Sequence, residues 1–221
     1  MTGGNLSNAT GITVNANGTI QLTGSNVPLS ANPGTTLITG QVTSPSINIL
    51  GSQVGLLSAK LDASTPGQGG TILIGGDYQG KGTVPSASQT FVSGDTQILA
   101  NSLLKGDGGR VIVWSNDNTQ FLGTISARGS TGKGGFVEVS GKNALTFGGQ
   151  VDVSAPNGLL GTLLLDPTTL TIVDAPAGGT FDATAGNIPF GLPDNGANTV
   201  SWGRSPPWAL GQMLACKRRE I

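Results

Sequence analysis

Histidine is absent from the 221-residue chain, cysteine occurs once, and charged residues make up only 10% of it. Without histidine the protein lacks the commonest general base and metal-ligating side chain. The single cysteine, Cys216, excludes an internal disulfide framework and a multi-cysteine metal site. Eleven basic residues against twelve acidic ones give a formal net charge of −1, so there is no electrostatic footprint for nucleic acid or a membrane surface. No apolar run approaches the roughly 18 residues of a membrane-spanning helix. The opening "MTGGNLSNATGITVNANG" has neither the basic start nor the apolar stretch of a signal peptide. Aromatic residues are few, at 5%, and helix-favouring Glu, Lys and Arg are scarce.

Glycine is abundant instead, with 37 residues, and Thr, Ser, Asn, Val and Ile recur throughout. This composition predicts many short strands joined by tight turns. With 36% hydrophobic residues the chain is long and apolar enough to bury one core.

The stretch "ILIGGDYQGKGT" (72–83) has the outline of a phosphate-binding loop: an apolar run, Gly75 and Gly80 with four residues between them, then Lys81. Gly82 stands where the metal-binding hydroxyl belongs, unless Thr83 takes its place. The helix whose N-terminus would hold the anion is replaced by "TVPSASQTFV", with Pro85 inside it. The glycines are therefore expected to shape a bend, and neither nucleotide nor nucleic acid is expected as a partner.

Repetition carries the fold. "GSQVGLLSAKLDASTPGQGGTILIG" (51–75), "SNDNTQFLGTISARGSTGKGGFVEVS" (115–140) and "GKNALTFGGQVDVSAPNGLLGTLLLD" (141–166) share one plan. A short strand (Leu61 to Ala63, Ile125 to Ala127, Val151 to Val153) precedes a polar turn. A Gly corner (Gly69-Gly70, Gly134-Gly135, Gly161) and a second strand (TILI, FVEV, TLLL) follow. Ile125 and Val151 stand 26 positions apart, as do Gly108 and Gly134. A further copy, "NSLLKGDGGRVIVW" (101–114), has its corner 39 positions after Gly69, which calls for one longer or irregular unit, supplied by 76–100. Propeller blades need four strands per repeat and their own sequence marks, so the period points to a solenoid of stacked coils. Ile72, Ile74, Val111, Val113, Val137 and Val139 are expected to point inward, with Thr71, Arg110 and Glu138 outward. "GITVNANGTIQLTG" near the start reads as one more coil.

The runs "DASTPGQGGTILIGGDYQGKGTVPSASQTFV", "GDGGRVIVWSNDNTQFLGTISARG", "GGFVEVSGK" and "VDVSAPNGLLGTLLLDPTTLTI" resemble the passenger region of filamentous-haemagglutinin-type exoproteins of two-partner secretion systems. The resemblance covers about 50–174 strongly and 1–50 weakly. It implies an all-β, right-handed parallel β-helix and a structural or adhesin-like role, secreted or on the outer cell surface. The implied partners are a host or cell-surface glycan or protein receptor, and an outer-membrane transporter for the full-length parent. It carries over no catalytic, cofactor-binding or metal-binding residue. Signal peptide and secretion domain are not in evidence, and "ANPG" (31–34) offers a lone Asn-Pro, so the chain reads as an internal fragment of such a passenger. The expected organisation is β-helix coils over 1–173, a Pro/Gly-rich loop region over 174–200, and an irregular, atypical basic tail over 201–221. That tail holds Arg204, Lys217, Arg218 and Arg219, and reads as an unpacked appendage.

The competing readings are a carbohydrate-active β-helix enzyme and a truncated, nonfunctional gene fragment. Polysaccharide lyase or hydrolase chemistry needs clustered carboxylates, a calcium site, or Arg and Lys as bases beside a cleft. The candidates are Asp62, Asp77, Asp107, Asp117, Asp152 and Asp166, of which Asp62 and Asp152 share a repeat position while Ser126 takes it between them. Asp95 and Asp107 read as turn formers. "KGDGGR" lacks the calcium-binding nonapeptide pattern. Trp114 is a sugar-stacking candidate, though packing against the next coil is the expected role for a strand-end Trp.

Overall fold

The computed structural model describes residues 34–169, together with the backbone of five short strands outside that range. From residue 34 to 169 the chain winds into a parallel β-helix of five coils, each laying one short strand on each of three faces. The first face stacks Thr35–Ile38, Gln53–Leu56, Gln89–Val92, Asn118–Phe121 and Ala144–Phe147. The second stacks Gln41–Thr43, Lys60–Asp62, Gln97–Leu99, Thr124–Ser126 and Gln150–Asp152. The third stacks Ser46–Ile49, Thr71–Ile74, Arg110–Ser115, Phe136–Gly141 and Thr162–Leu165. Every pairing in these stacks is parallel, so each strand inside a stack finds its hydrogen-bond partners one coil above and one below.

Period-two alternation explains the interior. Ile47, Ile72, Val111, Val137 and Leu163 form one inward column, and Ile49, Ile74, Val113 and Val139 form another. On the second face Leu61, Ile98 and Ile125 line up the same way and are fully buried. Burial of each such side chain stabilises by about 1.5–3 kcal/mol. Phe121 and Phe147 stack between adjacent coils, with centroids 5.5 Å apart. The first face also turns polar residues inward. Thr36, Thr90 and Thr119 are buried, and their hydroxyls donate to the carbonyls of Leu50, Trp114 and Ser140 at 2.6–2.8 Å.

The Gly-Gly corners between second and third faces repeat along the stack. The N–H groups of Gly70, Gly109, Gly135 and Gly161 donate to the carbonyls of Ala63, Ala100, Ala127 and Val153. A Cβ on Gly135 would stand 2.2 Å from the carbonyl oxygen of Gly109 in the coil before it. Close stacking of backbone on backbone, not a left-handed conformation, demands glycine there.

The longer or irregular unit expected across 76–100 is one lengthened coil: Thr71–Ile74 pairs directly with Arg110–Ser115, and the surplus length lies in an excursion over 75–88 between the third and first faces. Two expectations change. The stretch near the start expected to add a coil instead holds an antiparallel strand pair, Gly11–Val14 with Ile20–Thr23, separate from the parallel stacks. Within the stretch expected to be a tail, Met213–Cys216 runs parallel to Thr162–Leu165 as a sixth strand of the third face. Thr199–Ser201, at the loop–tail boundary, pairs parallel with Thr171–Val173. The four basic residues expected to mark the tail, and most of the 174–200 loop region, lie outside the described residues.

Candidate functional site

The excursion over 75–88 folds back on the outer side of the third face. Gly75 and Gly80 adopt positive φ values of 70° and 64°, which an L side chain tolerates poorly. A Cβ on Gly80 would stand 2.6 Å from the Trp114 ring, and one on Gly75 would stand 2.3 Å from the Trp114 carbonyl oxygen. Trp114 is accordingly 1% exposed, and with Leu73 and Ile112 it forms a second apolar cluster outside the coil, flanked by Val84 and Phe136. Tyr78, in a single 3-10 turn over Tyr78–Gly80, meets Phe136 edge-on with centroids 5.7 Å apart. Trp114 is therefore unavailable for stacking on a sugar. It packs beneath the glycine loop, in a cluster that Phe136 of the next coil flanks.

The same excursion covers Glu138. Register places Glu138 on the outward side, beside Ile112 and Leu164, as alternation predicts. It is nonetheless fully buried. Gln79, itself in the left-handed region at φ 55°, donates its backbone N–H to both Glu138 oxygens at 3.1 and 3.2 Å. Its side-chain amide donates to Asp166 Oδ2 at 2.8 Å. Asp166 is 2% exposed, and its Oδ1 has no hydrogen-bond partner among the described residues. Asp77 caps the 3-10 turn by accepting from the Tyr78 N–H, and it accepts from Arg110 at 2.7 Å. The group gripped by this loop is the protein's own Glu138 carboxyl.

That grip leaves little for a nucleotide. The N–H groups of Gly75, Gly80 and Lys81 already donate to the carbonyls of Ile49, Asp77 and Tyr78, and Lys81 Nζ donates to Gln79 Oε1 at 3.0 Å. Lys81→Ala is expected to change stability by less than about 0.5 kcal/mol. ATP with magnesium should produce no calorimetric binding signal in either protein; micromolar binding abolished by the substitution would contradict the assignment.

Burial, reinforced by the nearby Asp166 charge, raises the Glu138 carboxyl to about 7, while the Gln79 N–H, the Ser140 hydroxyl and Arg110 pull the other way. A carboxyl raised in the folded state keeps its proton where the unfolded chain has released it. Stability should therefore fall as pH climbs from about 4.5 to about 7, by on the order of 3 kcal/mol in total, and stay reduced above that. Glu138→Gln is expected to flatten this slope in urea melts at a series of pH values. An unchanged slope would show that Glu138 does not hold its proton in the fold.

The remaining carboxylates serve turns. Asp62 and Asp152 do share one column, with Leu99 and Ser126 on the two rungs between them. Each accepts from the backbone N–H two residues on, Ser64 and Ser154 respectively, and Asp152 also meets Arg128 at 3.5 Å. Asp107 accepts from the Lys133 N–H one coil away, and Asp117 from the Asn143 amide. Asp95 accepts from the hydroxyls of Ser58 and Ser93, which hold its carboxyl below the usual range. Glu138 and Asp166 are the converging pair, and they lie under the loop rather than along a cleft. Alternation alone marked Glu138 as solvated; the signal that it is covered is the surplus length of 75–88 ahead of it.

An open surface lies elsewhere, on the outside of the first face. A groove of about 320 Å³ runs across several coils, lined by side chains that include Gln53, Gln89, Phe91, Asn118 and Gln120. Compared with family models and with curated proteins, the chain matches none.

Proposed function

We propose that the chain is a non-enzymatic, structural or adhesin-like β-helix segment of a large secreted or cell-surface protein of the filamentous-haemagglutinin type. One observation carries the reading: the buried acid pair, Glu138 and Asp166, is sealed beneath 75–88, while the other described candidate aspartates bond turn backbone or neighbouring side chains. Glycoside cleavage needs an acid and a second carboxylate reachable by substrate on both sides of the scissile bond. A stack of coils with short corners, in contrast, offers long, regular outer faces suited to spanning and contact. The resemblance of 50–174 supplies the adhesin-like context, with a surface glycan or protein receptor and an outer-membrane transporter for the parent as partners.

The test is to incubate the purified chain with neutral and uronic polysaccharides and assay new reducing ends and unsaturated products. None above buffer is expected. Product release that disappears in Glu138→Gln would replace this reading with the carbohydrate-active enzyme.

A further inference from the structure

We propose that the groove on the outer side of the first face binds an extended, uncharged β-1,4-linked hexopyranose chain, laid along the axis of the coils. The proposal deepens the reading of the chain as a contact surface and rests on it.

Register puts Gln53, Gln89 and Asn118 in one outward column, on three successive coils. The adjacent outward column carries Gly55, Phe91 and Gln120 on the same coils. Each rung is separated from the next by about 4.8 Å, the spacing of hydrogen-bonded strands. An extended β-1,4-linked sugar chain rises by nearly that step per residue, so each ring can meet one rung. Side-chain amides both donate and accept, which suits vicinal hydroxyls. The amides of Gln89, Asn118 and Gln120 make no hydrogen bond to other described side chains and are free to do so. Thr35 donates to Gln53 Oε1 at 3.1 Å, which fixes the first amide of the column.

Phe91 supplies the other half of sugar recognition. It is partly exposed in the middle of the groove, with Gly55 before it on the column and Gln120 after it. Gly55 has no side chain to stand over the ring, and Leu37 leans across that position, within 3.0 Å of where a Cβ would be. An aromatic ring beside small and apolar neighbours offers a platform for the C–H face of a pyranose. None of the lining residues is charged. A polyuronate would lose the hydration of its carboxylates there without a cationic partner, so the groove selects for neutral chains.

Isothermal titration calorimetry of the intact chain with cellohexaose tests this, with hexagalacturonate and the coiled α-1,4 chain maltohexaose as comparators. Saturable binding of cellohexaose alone is expected. Phe91→Ala should weaken it by about tenfold, the equivalent of about 1.4 kcal/mol, and Gln89→Ala severalfold. Both side chains are surface-facing, and circular dichroism melts should confirm that both variants stay folded. The proposal is overturned by absence of cellohexaose binding, by equal binding of the three oligosaccharides, or by affinity that survives Phe91→Ala. It is also overturned if sedimentation shows a dimer that Phe91→Ala dissociates, which would give the face to a second copy of this chain. Failure of binding without any product release leaves the non-enzymatic reading standing, whereas product release from cellohexaose strikes at that reading itself.

Discussion

Val113→Asp is expected to abolish cooperative folding, while Arg110→Asp, three positions earlier on the same strand, lowers the melting temperature only modestly. Val113 is fully buried in the column that runs from Ile74 to Val139. A carboxylate there has no partner among its aliphatic neighbours, and an uncompensated buried charge costs more than about 4 kcal/mol. Set against a typical total stability of about 5–15 kcal/mol, that loss leaves little or no folded protein. Stacked coils amplify the damage, because each supports only its neighbours. Arg110 points outward, its side chain is 38% exposed, and its contact with Asp77 is worth about 1 kcal/mol at most. Thermal melts of the two variants by circular dichroism decide the matter. Equal midpoints would mean that the inward and outward assignment of the third face is wrong.

Gly135→Ala should come second in size, at about 3 kcal/mol or more, the upper range of overpacking. The new methyl would stand 2.2 Å from the Gly109 carbonyl oxygen and 2.8 Å from the Ala127 carbonyl oxygen, both of them backbone atoms. Relief requires separating two coils, at the expense of the ladder between Arg110–Ser115 and Phe136–Gly141. Gly40→Ala is the matched control, since its Cβ would meet nothing within 4 Å. That change should be neutral, or stabilising by a few tenths of a kcal/mol through a less flexible unfolded chain. Parallel urea melts should therefore diverge. If the two glycines tolerate alanine equally, the corners do not stack as described.

Much of this architecture was legible in the residues, for a physical reason. On the second and third faces the inward positions are aliphatic and the corners are glycine, so Ile125 with Val151 and Gly108 with Gly134 announce the 26-residue spacing; the first pair now stands in direct register. The first face was less visible because Thr36, Thr90 and Thr119 face inward and satisfy corner carbonyls, which breaks the expected alternation of apolar and polar residues. The excursion over 75–88 was legible in outline but not in purpose. Its glycines imitate a phosphate loop yet shape a bend, and its surplus length makes one coil longer than the rest. Both follow from one packing task, closing backbone over the broad ring of Trp114. Glu138 was readable as outward but not as covered, because burial by a segment some 59 residues away leaves no periodic trace. The amide column of Gln53, Gln89 and Asn118 escaped notice for a related reason: its members lie 36 and 29 positions apart, off the 26-residue spacing.

The central claim, a five-coil stack whose glycine loop closes over an internal acid, is tested most directly by residue-resolved hydrogen exchange near neutral pH. Amides within the paired strands from Thr35–Ile38 to Thr162–Leu165 should exchange slowly and together, as one cooperative unit. The Gln79 amide, although it belongs to an excursion rather than a ladder, should be protected as well, because it donates to Glu138. Its protection should fall in Glu138→Ala while that of the Val113 amide persists. Rapid exchange at Gln79 in the unaltered protein, or protection confined to one or two faces of the stack, would contradict the account.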